Sequence, residues 1–229
     1  MKTGRQTRRS GAAVQAGGRP DDYYSQARPD VAELVPLRCR RVLEVGCGSG
    51  ELGRSLRGRG HHVTGIELVP EMARRARRWL DCVATADVER DGFPFRPASF
   101  DALVFADVLE HLIDPWRVLR EALEVLAEDG VVVASIPNVQ NIDVLRRLFL
   151  GRWDYRERGI LDFGHLRFFT LRSIRALFAQ ADLTIVHVGH RYRRSWWRES
   201  LCLLTAGWAR NLWTRQYLIV GCRVGKHLR

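Results

Sequence analysis

Between Leu43 and Gly53 the chain reads LEVGCGSGELG, and two glycine signatures overlap there. Gly46, Gly48 and Gly50 give G-x-G-x-G, while Gly48, Gly50 and Gly53 give the G-x-G-x-x-G of a dinucleotide-binding turn. In either form the glycines let the backbone approach a nucleotide-bearing cofactor, and an acid ending the next strand can accept from both ribose hydroxyls. Glu67 is that acid, 19 positions after Gly48. To this point the cofactor stays open. Three features then count against a nicotinamide. Glu44 lies inside the first strand, where a dinucleotide turn usually follows a purely apolar one. Asp87 ends the third strand, placed to accept from an adenine amino group. The fourth strand runs into FADVLEHLIDP (105–115), for which hydride transfer has no evident need.

That last stretch supplies a candidate general base. His111 follows the fourth strand directly, in a loop that should face the cofactor, and an imidazole's ordinary pKa suits proton transfer near neutrality. The bland alternative is that His111 caps or packs under the next helix. Farther on, Phe149, Trp153, Tyr155, Phe163, Phe168 and Phe169 could form a lid that stacks on a ring, or a satellite core under an irregular segment. Arg152, Arg156 and Arg158, interleaved with them, could pair with an acceptor phosphate or form a solvated charge run.

These residues need a frame. RVLEVG (41–46), HHVTGIEL (61–68), CVATAD (82–87), FDALVFAD (100–107) and VVVASIP (131–137) read as strands, separated by helices over Glu51–Arg59, from Pro70 to Leu80, and from Pro115 until Gly130. Helix-separated apolar strands predict an α/β, doubly wound sheet that is mostly parallel. Helices at 141–150 and 171–181, a strand at 183–189, a Trp-rich helix at about 196–209 and a final strand at 217–224 complete the pattern.

The 229 residues carry a formal charge of +11, unevenly. Residues 1–20 hold five basic residues and no acid, and 190–229 hold nine against Glu199 alone, so the middle of the chain is near neutral. Basic ends are compatible with nucleic acid, a phospholipid surface or a nucleotide-linked substrate, yet they match no nucleic-acid-binding motif. The five cysteines are widely spaced with no C-x-x-C, which points away from a disulfide framework or zinc site and toward a cytoplasmic chain. No apolar run reaches the roughly 18 residues of a membrane span. The expected organisation is a disordered basic leader over 1–20 and one domain over 21–229. Within it lie an aromatic, lid-like insertion at about 141–170 and a Trp-rich helical insertion at about 192–213.

VLEVGCGSG, IEL, ADVE, FDALVFADVLEHLIDP and DGVVVASIPN, taken in order over residues 40 to 190, resemble the successive motifs of the class I S-adenosylmethionine-dependent methyltransferases. The resemblance implies a Rossmann-like seven-stranded sheet with an antiparallel last strand. It also implies S-adenosylmethionine as cofactor: Glu44, Gly46, Cys47, Gly48 and Gly50 around its methionine portion, Glu67 and Leu68 at the ribose, Asp87 and Val88 at the adenine, and Asp107 beside the methyl group. IPNVQNIDVLRRLFLGRWDY and GILDFGHLRFFTLRSIRALF are similar to methyltransferases of polysaccharide and glycan biosynthesis clusters and to ubiquinone-type O-methyltransferases. A Thr would be expected before His165 in that subgroup, where this chain has Gly164.

Small-RNA 2′-O-methyltransferases and ubiquinone-type enzymes hold a divalent ion with an E-x-x-E-H cluster. Asp107, Glu110 and His111 with His165 are similar to it, with Asp in place of the first Glu, and their oxygen and imidazole ligands would suit Mg²⁺ or Mn²⁺. The expected activity is O-methylation of a sugar, glycan intermediate or small metabolite by a monomer or homodimer, with Asp107, Glu110 and His111 as the catalytic group. An RNA 2′-hydroxyl acceptor and a non-catalytic cofactor-binding subunit are the alternatives.

Overall fold

The structure is a computed structural model, and it describes residues 27–192, 202–205, 207 and 209–223. A short helix α1 (Pro29–Ala32) leads into β1 (Arg41–Val45), α2 (Glu51–Gly58), β2 (His62–Glu67), α3 (Pro70–Ala76), β3 (Cys82–Thr85) and β4 (Phe100–Ala106). A 3₁₀ turn over Leu109–His111 precedes α4 (Pro115–Ala122), β5 (Leu126–Pro137), α5 (Ile142–Phe149), α6 (Leu171–Gln180), β6 (Leu183–Arg191), α7 (Arg210–Trp213) and β7 (Gln216–Arg223). The seven strands form one sheet in the order β3-β2-β1-β4-β5-β7-β6. β7 runs antiparallel to both neighbours, and the other pairings are parallel.

The apolar runs follow from burial on both faces. Along β1, Leu43 and Val45 join one core layer while Val42 joins the other. Leu103 and Phe105 of β4 alternate likewise with Ala102 and Val104. The first layer packs Leu119 of α4 and Phe178 of α6, the second Leu56 of α2 and Ala73 of α3. A strand sandwiched in this way has no polar face to show in its sequence.

Two boundaries differ from the sequence reading. Helix α3 ends at Ala76 rather than Leu80, and Trp79 and Leu80 turn back over it through their amides to Ala76 O at 2.9 and 3.0 Å. Helix α4 ends at Ala122, and β5 has begun by Leu126. The register to β4 slips between Phe100↔Leu126 and Ala102↔Val131, so Gly130 sits in a strand irregularity and does not stop a helix. A Cβ at Gly130 would collide with the Leu126 side chain, which folds back onto it. The proposed leader at 1–20 and most of the Trp-rich helix, including Trp196, Trp197 and Trp208, lie outside the described residues.

Helix α2 carries two glycines with opposite prospects. A Cβ on Gly53 would lie 2.7 Å from Glu44 Oε2 and 2.8 Å from Leu80 Cδ1, whereas Gly58 has nothing within 4 Å. Alanine should gain up to about 1 kcal/mol of helix propensity at either site. Overpacking costs about 1–3 kcal/mol, and only Gly53 incurs it. Thermal denaturation should therefore show Gly58→Ala melting higher than wild type and Gly53→Ala lower, and the reverse ranking would contradict this packing.

Candidate functional site

The strand order reverses between β1 and β4, and a ligand crevice is expected outside their carboxyl ends. A cavity of about 720 Å³ lies there, within the usual size of a small-molecule site. Glu44, Gly46, Cys47, Glu67, Leu68, Asp87, Val88, Asp107, Glu110, His111 and His165 all line it. Gly48 and Gly50 are not among its lining residues and shape it from behind.

The glycine turn is held from two sides. Gly46, Gly48 and Gly50 all take positive φ, at 68°, 53° and 91°, which a side chain would strain. Gly46 and Cys47 donate their amides to Ile66 O at 2.8 and 3.2 Å. Glu67 Oε2 accepts from the Gly48 amide and its Oε1 from the Val69 amide, both at 2.9 Å. One carboxylate thus staples the loop after β1 to the loop after β2. Burial pushes the Glu67 carboxyl above its ordinary range, against the pull of those amides.

Glu44 is 3% exposed, with Oε2 lacking a hydrogen-bond partner among the described residues. Burial first, and the charge of Glu67 second, raise its carboxyl well above the ordinary value. Two adjacent buried carboxyls under one cavity make a floor suited to a cationic ligand.

Asp107 directly follows β4 in a left-handed conformation, φ 57°, and is enclosed by groups that its local motif does not reveal. Arg28 donates to its Oδ2, while Ser135 Oγ and Gln216 Nε2 donate to its Oδ1 at 2.9 and 2.7 Å. Arg28 is only 5% exposed and also holds Asp30 and Ser135 Oγ, the latter at 2.9 Å. Asp87 is half-buried, its Oδ1 accepting from the Glu89 amide at 3.0 Å.

On the facing wall the 3₁₀ turn presents Glu110 and His111 to His165. Ligand atoms of the three lie within 4.8 Å of one another, and Asp107 stands outside this group, so the D-x-x-E-H cluster is not assembled as a whole. Leu166 and Arg167 donate their amides to Glu110 O at 2.9 and 3.0 Å, which fastens the His165 segment to the turn. His111 Nδ1 meets Gly164 O and His165 Nδ1 meets Ile160 O, each at 2.8 Å. A carbonyl only accepts, so each Nδ1 carries a proton, and in the neutral imidazole the lone pair is then on Nε2. The helix-capping alternative for His111 does not apply, because the α4 N-cap is Asp114. Glu110 is 1% exposed, neither carboxyl oxygen has a hydrogen-bond partner among the described residues, His165 Nε2 stands 3.9 Å from its Oε1, and burial drives its carboxyl well above the ordinary range.

The six aromatics of the insertion do not share one role. Phe169 joins the core, Trp153 and Phe168 meet edge to face at 5.1 Å, and Phe149 is 91% exposed. None of the six aromatics lines the cavity; Arg158, Gly159, Ile160 and Asp162 from the same stretch do. Arg191, Tyr192, Arg215 and Gln216 also line the cavity. Arg28, Ser135 and Gln216 carry no local motif, and only the fold identifies them as part of the site.

A family profile described as a methyltransferase domain matches residues 19–188. Over 113 residues the chain is 35% identical to a ubiquinone biosynthesis O-methyltransferase of Xylella fastidiosa, covering 47% of this chain and 46% of that one. The chain thus matches about half the length of such relatives. A solved S-adenosylmethionine-dependent methyltransferase from Archaeoglobus fulgidus superposes with a TM-score of 0.65 at 15% identity, over 88% of this chain and 96% of that one. The 1,6-didemethyltoxoflavin-N1-methyltransferase of Burkholderia thailandensis gives 0.58 at 17% identity, over 87% and 79%. At these identities the two structures establish the shared fold.

Proposed function

The chain belongs to the methyltransferase domain family, and from that membership we propose that it moves a methyl group from S-adenosylmethionine to a hydroxyl of a sugar, glycan intermediate or other small metabolite. The observation that carries the reading is the single cavity shared by the acid-lined glycine turn and an oriented imidazole. The residues fit the cofactor: buried Glu44 Oε2 has no hydrogen-bond partner among the described residues, and Glu44 and Glu67 are carboxyls that a cationic ligand would favour in their ionised form. When bound, the cofactor supplies an electrophilic methyl group whose sulfur leaves with the bonding electron pair.

The residues supply position and a proton acceptor. Glu67 holds the ribose against the glycine turn, Leu68 beside it, with Asp87 and Val88 at the adenine. Asp107 holds the reacting end of the cofactor. His111 Nε2 takes the acceptor hydroxyl proton as the oxygen bonds to the methyl carbon. Its Nδ1 proton, donated to Gly164 O, fixes the required tautomer.

His111→Gln is expected to lower kcat by about a hundred- to ten-thousandfold on any hydroxyl acceptor found in a labelled-methyl screen. Its S-adenosylhomocysteine affinity should stay at the wild-type value. An unchanged kcat would remove His111 as the base.

Glu110, His111 and His165 also fit a divalent ion. Neither buried Glu110 oxygen has a hydrogen-bond partner among the described residues, and both imidazoles are anchored through Nδ1 as metal-bound histidines commonly are. Mg²⁺ or Mn²⁺ held there would lower the pKa of an acceptor hydroxyl. Mn²⁺ titration followed by paramagnetic resonance should show a bound signal in wild type that Glu110→Gln loses, and an identical signal in both proteins would remove the ion from the site.

A further inference from the structure

Two residues with left-handed backbone meet at one end of the cavity. Arg28, at φ 42° before α1, and Asp107, at φ 57° after β4, are two of the four non-glycine residues with positive φ among the described residues. Such conformations persist where surrounding contacts over-determine them, and they gather at functional sites. Both residues line the cavity, and their side chains form an ion pair. We propose that Arg28 is a positioning residue for methyl transfer, which sets the plane of the Asp107 carboxylate and thereby the placement of the cofactor's reacting end. The proposal rests on the role given to Asp107 in the methyl-transfer reading.

One guanidinium controls both oxygens of that carboxylate. Arg28 Nη1 donates directly to Asp107 Oδ2. Arg28 Nη2 donates to Ser135 Oγ at 2.9 Å, and Ser135 Oγ donates its own hydrogen to Asp107 Oδ1 at 2.9 Å. The three side chains close a ring, so the carboxylate cannot rotate without breaking a hydrogen bond. Gln216 Nε2 adds a second donor to Oδ1 at 2.7 Å.

Arg28 is aimed in its turn. Asp30 accepts from Nε at 2.9 Å and from Nη2 at 3.1 Å, a forked pair that fixes the guanidinium plane. Four of the five N–H donors of Arg28 are thereby committed, which leaves too few for a forked grip on an anion of its own. Its effect on a ligand therefore runs through Asp107. Asp30 does not line the cavity, and Arg191 Nε stands farther from it, at 3.7 Å, so its influence on a ligand runs through Arg28.

The test is calorimetric titration of S-adenosylhomocysteine into the full chain and its variants, with thermal denaturation of each variant to show that it is folded at the titration temperature. Arg28→Met, of similar length and without charge, should bind at least about tenfold more weakly. Arg28→Lys keeps a cation for Asp107 without the fork and should fall between that variant and wild type. Asp107→Asn should lose a similar factor, and the double variant should be no weaker than the weaker single variant, because the two side chains act as one unit. Asp30→Ala should bind about threefold more weakly, and that loss should disappear in an Arg28→Met background.

Additive losses from Arg28→Met and Asp107→Asn would show that Arg28 touches the ligand itself, and wild-type binding by Arg28→Met would show that it only fills space. Either result would overturn the proposal. Should Arg28→Met not fold, Asp30→Ala and Asp107→Asn form the same cycle with Arg28 in place, and their losses should again fail to add. Absence of S-adenosylhomocysteine binding by wild type would remove the methyl-transfer reading and the proposal with it, whereas additive losses in a protein that binds remove the proposal alone.

Discussion

Glu67→Ala is expected to weaken S-adenosylhomocysteine binding by at least about a hundredfold in calorimetric titration. The carboxylate accepts the Gly48 and Val69 amides at 2.9 Å, so its loss leaves two donors of the turn without a partner and frees the loop to move. Hydrogen bonds to charged groups are worth about 1.5–3 kcal/mol each, and the ribose contact assigned to the same group would vanish with them. A factor of a hundred corresponds to about 2.7 kcal/mol, within reach of any two of these interactions. Glu67→Gln should lose less, because an amide oxygen can still accept one of the two amides. Equal binding by Glu67→Ala and wild type would show that the loop is held by other means and that the ribose assignment is wrong.

Glu44→Gln is expected to raise the stability of the ligand-free protein at pH 8 by about 2 kcal/mol and to change it little near pH 4.5. The sign follows from the direction of the shift. Burial and Glu67 raise the folded-state pKa of Glu44 well above its ordinary value, so the native state keeps a proton that the unfolded chain releases. Stability from this group is complete below the ordinary carboxylate range and is lost as pH rises toward the folded-state value. Glutamine does not titrate, so the difference between the two proteins should widen between pH 4.5 and 8. For a domain of this size the expected rise in Tm at pH 8 is about 4–8 °C. The same substitution should weaken S-adenosylmethionine binding, because a sulfonium would favour the ionised form of this carboxyl and glutamine has no such form. A wild type that gains on the variant as pH rises would refute the account.

The β1–β5 half of the fold was legible in the sequence because each of its signals is local. The glycine turn, Glu67 and Asp87 mark strand ends within a few residues, and Pro70 and Pro115 open their helices as their fixed φ allows. The β4 to β5 boundary was misread because Gly130 carries the same signal in a strand irregularity as at a helix end. The partners of Asp107 were illegible for a different reason. Arg28 lies 79 positions before it and Gln216 lies 109 after, and no local pattern specifies which distant side chain a fold will deliver. Nor could hydrophobicity separate Phe169, which packs in the core, from Phe149, which faces solvent.

Because β7 inserts between β5 and β6, its partner strand β6 must await it at the sheet edge. Contacts of long sequence separation form slowly, since a large loop must close before they repay its entropy. The Asp107 network closes loops in both directions, toward α1 and toward β7, so it can be complete only when nearly the whole described chain has folded. A partly folded chain could already hold the glycine turn, built from neighbours in sequence, while its acceptor side stayed unformed. Cofactor binding and acceptor binding should therefore mature at different moments of the chain's folding, with competence for turnover arriving together with the last strand.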